Sequence, residues 1–362
     1  MSKKMNFDEL QRFIVPILVE GFKYTEEEAR VTARVLVEAD ARGIPSHGVS
    51  RMEFHHRHAK DGFVTPGAQP EIVWQTPSSI VVDGHNGIGC YIAEWSVSKL
   101  IDLARNTGVG YCAVRSSNHF GIAGYWAETI AKNEMIGMAF TNTTGCAIPT
   151  YGRQRMLGTN PIAVAIPEAG GRIFMLDMAT TTVSHGKIEV YDRRKKPMPL
   201  GWVVDRMGIG TTDATEFERL FYGDQRNGGQ LFIGGEGEES GGHKGYGLGL
   251  LVELLCSGLS LGLGSAGTYA KGREAGITHF FGAVRLDLFG KPDELKSHIG
   301  GLLDCIRKSD RAEGQDRIYI HGEKETESLA RSMKEGVFID DATCAYLNSV
   351  CEEFGLPGLP KD

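Results

Sequence analysis

The chain has 362 residues, a hydrophobic fraction of 41%, a charged fraction of 23% and a formal net charge of −7. This length allows a large core and predicts two packed regions, and the composition is that of a soluble globular protein. The negative charge and the lack of a basic block argue against a nucleic-acid partner or an anionic membrane surface. Neither a signal peptide nor a membrane-spanning apolar run is evident.

The cysteine pattern indicates whether the protein resides in a reducing or an oxidising compartment. The seven cysteines are odd in number, have no CxxC spacing and mostly lie in apolar runs. Free buried thiols are therefore expected, with metal-binding thiolates as the weaker alternative. A cytoplasmic location follows from this expectation.

The N-terminal part of the chain is predicted to be helical. Apolar residues recur at helical spacing through residues 7–39, with a break at Gly21. Thr25 followed by Glu28 is a capping-box signal for the start of the second helix. That helix is expected to end at Arg42 and Gly43.

A polar segment, residues 44–51, follows the second helix. Ser46, His47 and Arg51 place a hydroxyl, an imidazole and a guanidinium close together, while Pro45 stiffens the turn and Gly48 permits close approach. Arginine suits a carboxylate, because its fork makes two parallel charge-assisted hydrogen bonds. The alternative is structural: Ser46 caps the next helix and Arg51 pairs with a surface acid.

Three histidines, His55, His56 and His58, lie on the helix that follows. They suggest a metal site, and with His47 they suggest a metal-dependent hydrolase or lyase. Adjacent positions of a helix point about 100° apart, and no recognisable zinc spacing is completed. A solvated helix face is therefore the favoured interpretation.

The rest of the chain alternates between strands and helices, with the first region ending near residue 75. Strands are expected at 78–83, 109–114, 135–141, 162–166, 173–180, 279–287 and, followed by a turn, 317–323. Helices are expected at 92–106, 123–131, after Ser184, and at 248–259, 292–307 and 325–335. Residues 216–242, rich in glycine and acidic residues, are interpreted as an extended surface loop.

A polar turn at residues 115–120 joins a predicted strand to a predicted helix. Asn118 and His119 lie there beside Ser116 and Ser117, where an imidazole can act near neutral pH. The alternative is that these residues only cap the helix.

Two further sites carry polar residues suited to a ligand. Asp177 closes an apolar strand and either accepts hydrogen bonds from a ligand or caps the following helix. The glycine-rich stretch 241–247 opens a helix and contains Lys244, which suits a phosphate or carboxylate, although Lys244 in solvent is the alternative. Residues 262–267 match GxGxxG, but no apolar helix follows, so a turn is expected.

Several stretches together resemble the type 2 malate/L-lactate dehydrogenase family. They are ADARGIPSHGVSR at 39–51, SSNHFGIAGY at 116–125, LGTNPIA at 157–163, LDMATT at 176–181, SHGK at 184–187 and GGHKGYGL at 241–248. One departure lies at His321, which replaces the proline of the family's usual Pro-Gly-Glu turn. The segment 216–240 is also longer than usual.

The resemblance implies an α+β fold with a non-Rossmann nicotinamide-binding domain built on a mixed or antiparallel sheet. It implies that residues 76–309 form this cofactor-binding domain, and that residues 1–75 pack with 310–362 as a smaller helical domain. It also implies a homodimer with active sites near the interface, a small carboxylate substrate, and NAD or NADP as cofactor.

The resemblance assigns roles to individual residues. His119 is the expected general acid/base, with His47 as proton donor or orienter. Substrate contacts are expected from Arg51, Ser46 and Asn118. Cofactor contacts are expected from Thr159, Asn160, Asp177, Met178, Ala179, Lys187, His243, Lys244, Gly245, His321, Gly322 and Glu323. The implied reaction is hydride transfer between NAD(P) and a 2-hydroxy acid, malate favoured over lactate or sulfolactate, with NADPH-dependent reduction of cyclic imino acids as the alternative.

Overall fold

The computed structural model describes residues 2–223, 226–270 and 274–360. Within them the helices are α1 (Phe7–Pro16), α2 (Glu26–Ala41), α3 (Met52–Lys60), α4 (Gly89–Thr107), α5 (Ala123–Ala131), α6 (His185–Arg193), α7 (Ala214–Phe221), α8 (Gly242–Glu253), α9 (Pro292–Arg307), α10 (Glu323–Glu335) and α11 (Asp341–Glu353). The strands are β1 (Lys3–Met5), β2 (Glu71–Gln75), β3 (Ser79–Asp83), β4 (Val109–Ser117), β5 (Met135–Thr141), β6 (Ile162–Pro167), β7 (Ile173–Met178), β8 (Val203–Val204), β9 (Gly210–Thr211), β10 (Gly229–Gln230), β11 (Ile277–Arg285) and β12 (Val337–Ile339).

A seven-stranded sheet forms the centre of the molecule, in the order β2-β3-β4-β11-β5-β6-β7. Only β3 and β4 are parallel among these neighbours, and the other pairs are antiparallel. Helices α4 and α5 pack on the sheet, and their buried apolar residues join its main core. The expectation of a mixed sheet in an α+β fold is confirmed.

The two ends of the described chain meet. Strand β1 pairs antiparallel with β12, and α2 contacts both β12 and α10. These contacts support the proposal that residues 1–75 and 310–362 form one helical unit. Strand β2 nevertheless belongs to the central sheet, although it lies before residue 76.

The sequence signals at the ends of α2 are confirmed. The Thr25 hydroxyl accepts from the Glu28 amide, and the Glu28 carboxylate accepts from the Thr25 amide at 2.8 Å. After the helix, Gly43 takes a φ of +78°, which glycine adopts at little cost. The chain therefore leaves α2 at a defined angle, and residues 44–51 begin there.

The interpretation of residues 216–242 as an extended loop is wrong in part. Helix α7 covers its beginning and β10 lies within it. Ala214, Phe217 and Leu220 are buried at helical spacing, and the first two pack with residues of α6 and β8 in a separate apolar cluster. An apolar stripe at that spacing forms a helix despite the acidic residues around it.

Two further expectations differ in outcome. The GxGxxG match is a turn, as expected, with a short 3₁₀ segment at Ser265–Gly267. The strand expected before the turn at 321 is wrong, because no ladder forms there among the described residues. The amide of Ile320 instead donates to the Glu323 carboxylate at 3.1 Å, which ties this segment to the start of α10.

The cysteines are free thiols, as expected, and all of them except Cys305 are buried. Burial raises the pKa of Cys90, Cys112 and Cys146 to about 12. These thiols therefore act as small apolar groups rather than nucleophiles. Across the described residues, no helix is both long enough and apolar enough to cross a bilayer.

Candidate active site

Two histidines from distant parts of the chain lie together. His47, on the polar segment after α2, stacks on His119, in the turn after β4, with ring centroids 5.5 Å apart. The Ser46 hydroxyl lies 3.0 Å from Nδ1 of His47. The sequence therefore identified Ser46, His47 and His119 separately, and the fold brings them to one place.

Both imidazoles are held in the neutral form. Burial, and then the charge of Arg51, lowers the pKa of His47 to about 4. The pKa of His119 is lowered well below 6.5, mainly by burial and further by His47 and Arg51. The Gly121 amide donates to Nδ1 of His119 at 3.3 Å, which leaves Nε2 as the nitrogen available to a ligand.

Arg51 is the cation of this site. Its Nε donates to the Ser46 carbonyl at 2.5 Å, and no carboxylate of the described residues lies within ion-pair distance of its guanidinium. Burial lowers the pKa of Arg51, which Glu189 and Tyr222 partly oppose. A half-buried guanidinium without a paired carboxylate can receive an anionic ligand.

The side chain of Asn118 is directed at the backbone and not, like that of its neighbour His119, at His47. Its side chain is buried, and Nδ2 donates to the carbonyls of Asn86 and Gly87 at 3.2 and 2.9 Å. This amide therefore supports the turn that carries His119.

A cavity of about 240 Å³ is lined by residues from the same two segments that carry the histidines, although neither His47 nor His119 lines it. Its wall includes Ile44 and Ile122, each three residues from a histidine of the pair, together with Asp177, His321 and Gly322. Pockets for small ligands usually have volumes of about 300 to 1,000 Å³, so this smaller cavity can hold only one part of a dinucleotide. Three of the expected cofactor residues are thus brought together.

Asp177 lies where β7 meets the start of α5. Its carboxylate accepts from the Gly124 amide at 2.8 Å, and a Cβ at Gly124 would lie 2.6 Å from the same oxygen. Asp177 keeps part of its surface in contact with solvent, but desolvation of its carboxyl group, and then the charge of Glu325, raises its pKa to about 6. Its other oxygen remains able to accept from a ligand hydroxyl.

The turn His321–Gly322 forms the opposite wall of the cavity. The amide of Met175 donates to the His321 carbonyl at 3.2 Å, and Gly322, at a φ of +92°, lies so close that a Cβ would be 2.7 Å from that of Met175. Glu323 faces away: Arg307 at 2.7 Å and Arg317 at 2.8 Å occupy its carboxylate.

Most of the remaining expected cofactor residues lie around α8. Asn160 is buried, and its amide donates to the Gly249 carbonyl and to Glu253 at 2.9 and 2.7 Å. The Thr159 carbonyl accepts from the Thr180 amide at 2.9 Å, next to Met178 and Ala179 at the end of β7. His243, Lys244 and Gly245 form the first turn of α8, and Lys187 lies on α6 with its ammonium 5.0 Å from the Trp202 ring.

The glycines at the start of α8 have a packing role. A Cβ at Gly242 would lie 2.0 Å from the Gly235 carbonyl oxygen, and one at Gly245 would lie 2.2 Å from that of Ile233. The glycine-rich sequence thus allows this helix to meet the preceding loop. The exposed ammonium of Lys244 remains available to an anion.

The solvated-face interpretation of the α3 histidines is wrong for two of them. His55 and His58 are only 4% and 7% exposed, and the Tyr24 hydroxyl lies 3.0 Å from Nδ1 of His55. His56 stacks on Phe22 at 4.9 Å. The described residues contain no group of three or more histidine, cysteine or acidic residues arranged to hold a metal ion.

Several residues of the site were not identified from the sequence. Phe54 lies 5.5 Å from His119 between ring centroids, and its spacing of three from Arg51 on a helical segment is a usable signal. Tyr269 contacts Phe54 and His58, and Arg42 and Lys324 line the cavity. Nothing local distinguishes these three, because tertiary packing brings them to the site.

Comparisons with known proteins agree with this geometry. Residues 5–348 match the family model described as malate/L-lactate dehydrogenase. The malate dehydrogenase of Pyrococcus abyssi is 38% identical, over 97% of this chain and 95% of its own length. The L-sulfolactate dehydrogenase of Methanocaldococcus jannaschii is 36% identical, over 98% and 96%. The crystal structure of malate dehydrogenase from Entamoeba histolytica is 30% identical, with a TM-score of 0.92 and full coverage of both chains.

Such relatives are hydroxy acid dehydrogenases, and a nicotinamide cofactor and a small carboxylate substrate are implied by that class. A family match over nearly the whole chain agrees with the paired histidines beside an unpaired arginine. The protein is therefore an oxidoreductase that belongs to the malate/L-lactate dehydrogenase family.

Proposed function

We propose that this protein transfers a hydride between NAD or NADP and a small 2-hydroxy acid, with malate as the favoured substrate. The observation that carries the proposal is the half-buried Arg51 guanidinium beside two neutral, stacked histidines. A carboxylate seated on Arg51 brings the neighbouring C2 hydroxyl towards the imidazoles. This arrangement fixes one reactant and supplies a proton acceptor.

Arg51 binds and orients the substrate in this proposal. Its Nε is held by the Ser46 carbonyl, so the two terminal nitrogens of the fork remain for a bidentate carboxylate. Ser46, with its hydroxyl near His47, is a second hydrogen-bonding group. Asn118 supports the turn behind His119 and acts indirectly on the substrate.

His119 exchanges the proton through Nε2. In the resting protein the Gly121 amide donates to Nδ1, so the neutral ring carries its proton on Nε2. Oxidation of a 2-hydroxy acid begins from the other neutral tautomer, in which the 3.3 Å contact is given up, and Nε2 accepts the hydroxyl proton as the hydride leaves, so that the ring becomes doubly protonated. Reduction of a 2-oxo acid is the reverse: the doubly protonated ring gives its Nε2 proton to the substrate oxygen as the hydride arrives and returns to the neutral form. His47, stacked alongside, orients the ring or passes the proton on.

A bound nicotinamide dinucleotide supplies the hydride acceptor or donor. The residues at the cavity fit part of such a group, because Asp177 can accept from a ribose hydroxyl and Lys324 and His321 place cationic or hydrogen-bonding groups beside it. We propose that Asp177, His321 and Gly322 hold one portion. The rest of the dinucleotide is positioned in this proposal by Thr159, Asn160, Met178, Ala179, Lys187 and the start of α8, His243 to Gly245. Glu323 shapes the turn at His321 and Gly322.

The functional unit in this proposal is a homodimer in the cytoplasm. An exposed apolar face on α8 and the residues after it supports the dimer, because leucines at 248, 251, 254 and 259 are all exposed. The same helix begins with His243–Gly245, so a partner seated on this face would lie close to the proposed cofactor residues.

The test follows the absorbance of reduced nicotinamide with a panel of 2-oxo acids and cyclic imines. Oxaloacetate is expected to be reduced fastest. Arg51→Met should raise the KM for the oxo acid about a hundredfold, since a charge-assisted hydrogen bond contributes about 1.5 to 3 kcal/mol. Arg57→Met is the matched control on the neighbouring helix, and a small effect is expected because Arg57 is exposed.

His119→Gln separates the chemistry from binding. Turnover should fall by about two to four orders of magnitude, while affinity for the reduced dinucleotide, measured by its fluorescence, changes little. Near-normal turnover would refute the role of His119. If the protein reduces only the cyclic imines of the panel, its substrates are cyclic imino acids, the alternative substrate class, and not 2-oxo acids.

A further inference from the structure

A second, much smaller cavity lies on the interior side of His119. Its volume is about 10 Å³, and Tyr24, His55, His58, Asn118 and His119 are among its lining residues. This volume corresponds to about one water molecule. The cavity is separate from the 240 Å³ cavity, with which it shares no lining residue.

Three buried polar atoms of this lining have no hydrogen-bond partner among the described residues: Nε2 of His55, Nδ1 of His58 and Oδ1 of Asn118. All three side chains are more than nine-tenths buried. Buried polar groups in native proteins are almost always paired, with protein or with ordered water.

The other contacts of Asn118 and His55 determine which of their atoms are left without a partner. Nδ2 of Asn118 donates to two backbone carbonyls, so a flipped amide would place oxygen against oxygen, and Oδ1 is the amide atom that remains. The Tyr24 hydroxyl lies 3.0 Å from Nδ1 of His55 and can donate to it. The neutral His55 ring then carries its proton on Nε2, the nitrogen without a partner.

We propose that one buried water molecule binds here, accepts from Nε2 of His55, and donates to Oδ1 of Asn118 and Nδ1 of His58. The assignment uses both water protons and one lone pair, and it satisfies all three atoms. Burial also lowers the pKa of His55 to about 4 and that of His58 to about 3, so both rings are neutral, as the assignment requires.

The water gives Asn118, His55 and His58 a positioning role. Asn118 directly precedes His119, and the carbonyls of both residues press against Gly89, where a Cβ would lie 2.2 and 2.4 Å from them. The turn therefore has little room on that side, and the water holds the Asn118 side chain on the other. Loss of the water would leave Oδ1 of Asn118 without a partner, and a shift of this side chain against its two remaining hydrogen bonds would move the His119 ring. This role rests on the proposed function of His119, whereas the water site does not.

The site is tested directly by a crystal structure of the wild-type protein at a resolution that shows ordered water. Density for one water within hydrogen-bonding distance of the three atoms is expected. A dry cavity, or side chains rearranged so that the three atoms pair with one another, would overturn the proposal. This outcome does not depend on any activity.

The positioning role is tested with His58→Phe, which retains an aromatic ring next to Phe54, Phe63 and Tyr269 but removes Nδ1. The kcat for 2-oxo acid reduction should fall about tenfold, since misplacement of a reacting group by about 1 Å can cost a hundredfold. The KM for the dinucleotide should not change. His56→Phe is the matched control, because His56 lies on the same helix outside the cavity.

His58→Asn retains a polar atom near the position of Nδ1, and most of the kcat should be recovered. Equal losses in His58→Phe and His58→Asn would indicate a role for the ring alone and would refute the water-mediated role. If the wild-type protein reduces no 2-oxo acid, the proposed function fails, while the crystallographic test of the water site still stands.

Discussion

The paired imidazoles constrain each other's charge. A proton on His47 would lie beside His119 and near Arg51, and burial removes much of the water that would stabilise it. Both rings therefore stay neutral at pH values where a free imidazole is already charged. A neutral ring can accept the hydroxyl proton of a 2-hydroxy acid, so oxidation should persist into acidic solution.

The pH dependence of kcat/KM for 2-hydroxy acid oxidation checks this. The acid limb should lie well below the free-imidazole value of 6.5, because His119 stops accepting the proton only as the pH falls through its own lowered pKa. An acid limb near pH 6.5 would contradict the expectation that His47 and His119 are both neutral in mildly acidic solution. A limb near 6 that disappears in Asp177→Asn would instead belong to Asp177, whose pKa is about 6.

Sequence predicts the residues that act at the site better than the residues that support them. Ser46, His47, Arg51 and His119, to which we assign the chemistry, lie in short polar turns, so local composition marks them as candidates and the family resemblance gives them roles. The burial of His55 and His58 is not visible in the sequence. It depends on Tyr24, Phe63 and Tyr269, which reach α3 through tertiary packing.

The helices and strands show the same difference: the sequence predicts the elements that a local pattern determines, but not those that depend on contacts with distant parts of the chain. Helices 123–131 and 292–307 and strand 135–141 agree with expectation to the residue, because an apolar period determines each one locally. Helix α7 was missed because its acidic residues outweighed an apolar stripe. The expected strand before His321 has no neighbouring strand to pair with in the part of the chain that the structure describes, and no local pattern contains this information.

The segment that carries His47 and Arg51 is held in place by the end of α2. Asp40 accepts from the Val49 amide at 2.7 Å, and Gly48 lies directly over the same carboxylate. A Cβ at Gly48 would lie 2.0 Å from Oδ1 of Asp40. Since Gly48 has an ordinary φ of −86°, the need for glycine here is steric.

Gly48→Ala should therefore destabilise the protein by about 1 to 3 kcal/mol, the usual cost of overpacking, and lower turnover by displacing His47 and Arg51. Urea unfolding and steady-state kinetics measure the two effects. Gly301→Ala is the control, because nothing lies within 4 Å of its added Cβ on α9. Adding Asp40→Ala to Gly48→Ala should restore part of the stability, and a loss that is merely additive would argue against the steric cause.

Across the whole molecule, the fold leaves α8 and the turn after it apolar on a side that nothing in the described chain covers. Val252 of α8 packs into a buried cluster beneath the central sheet, while Leu251 of α8 and Leu254, directly after the helix, remain 48% and 57% exposed. Contiguous apolar surface of this kind marks association sites in folded proteins. A second copy of the chain is the occupant that the proposed homodimer requires, and a twofold axis would place the same leucines on both sides.

Replacing Leu251 and Leu254 by glutamate should convert the dimer to a monomer, because symmetry would bury four carboxylates without partners. Sedimentation velocity over a range of protein concentrations measures the change. Leu302→Glu with Ile306→Glu is the matched control on α9, where both side chains are similarly exposed, at 55% and 50%. A dimer that survives the α8 changes but dissociates in the control would place the interface on α9. If activity falls with dissociation while helix content is unchanged, the active site depends on the partner chain.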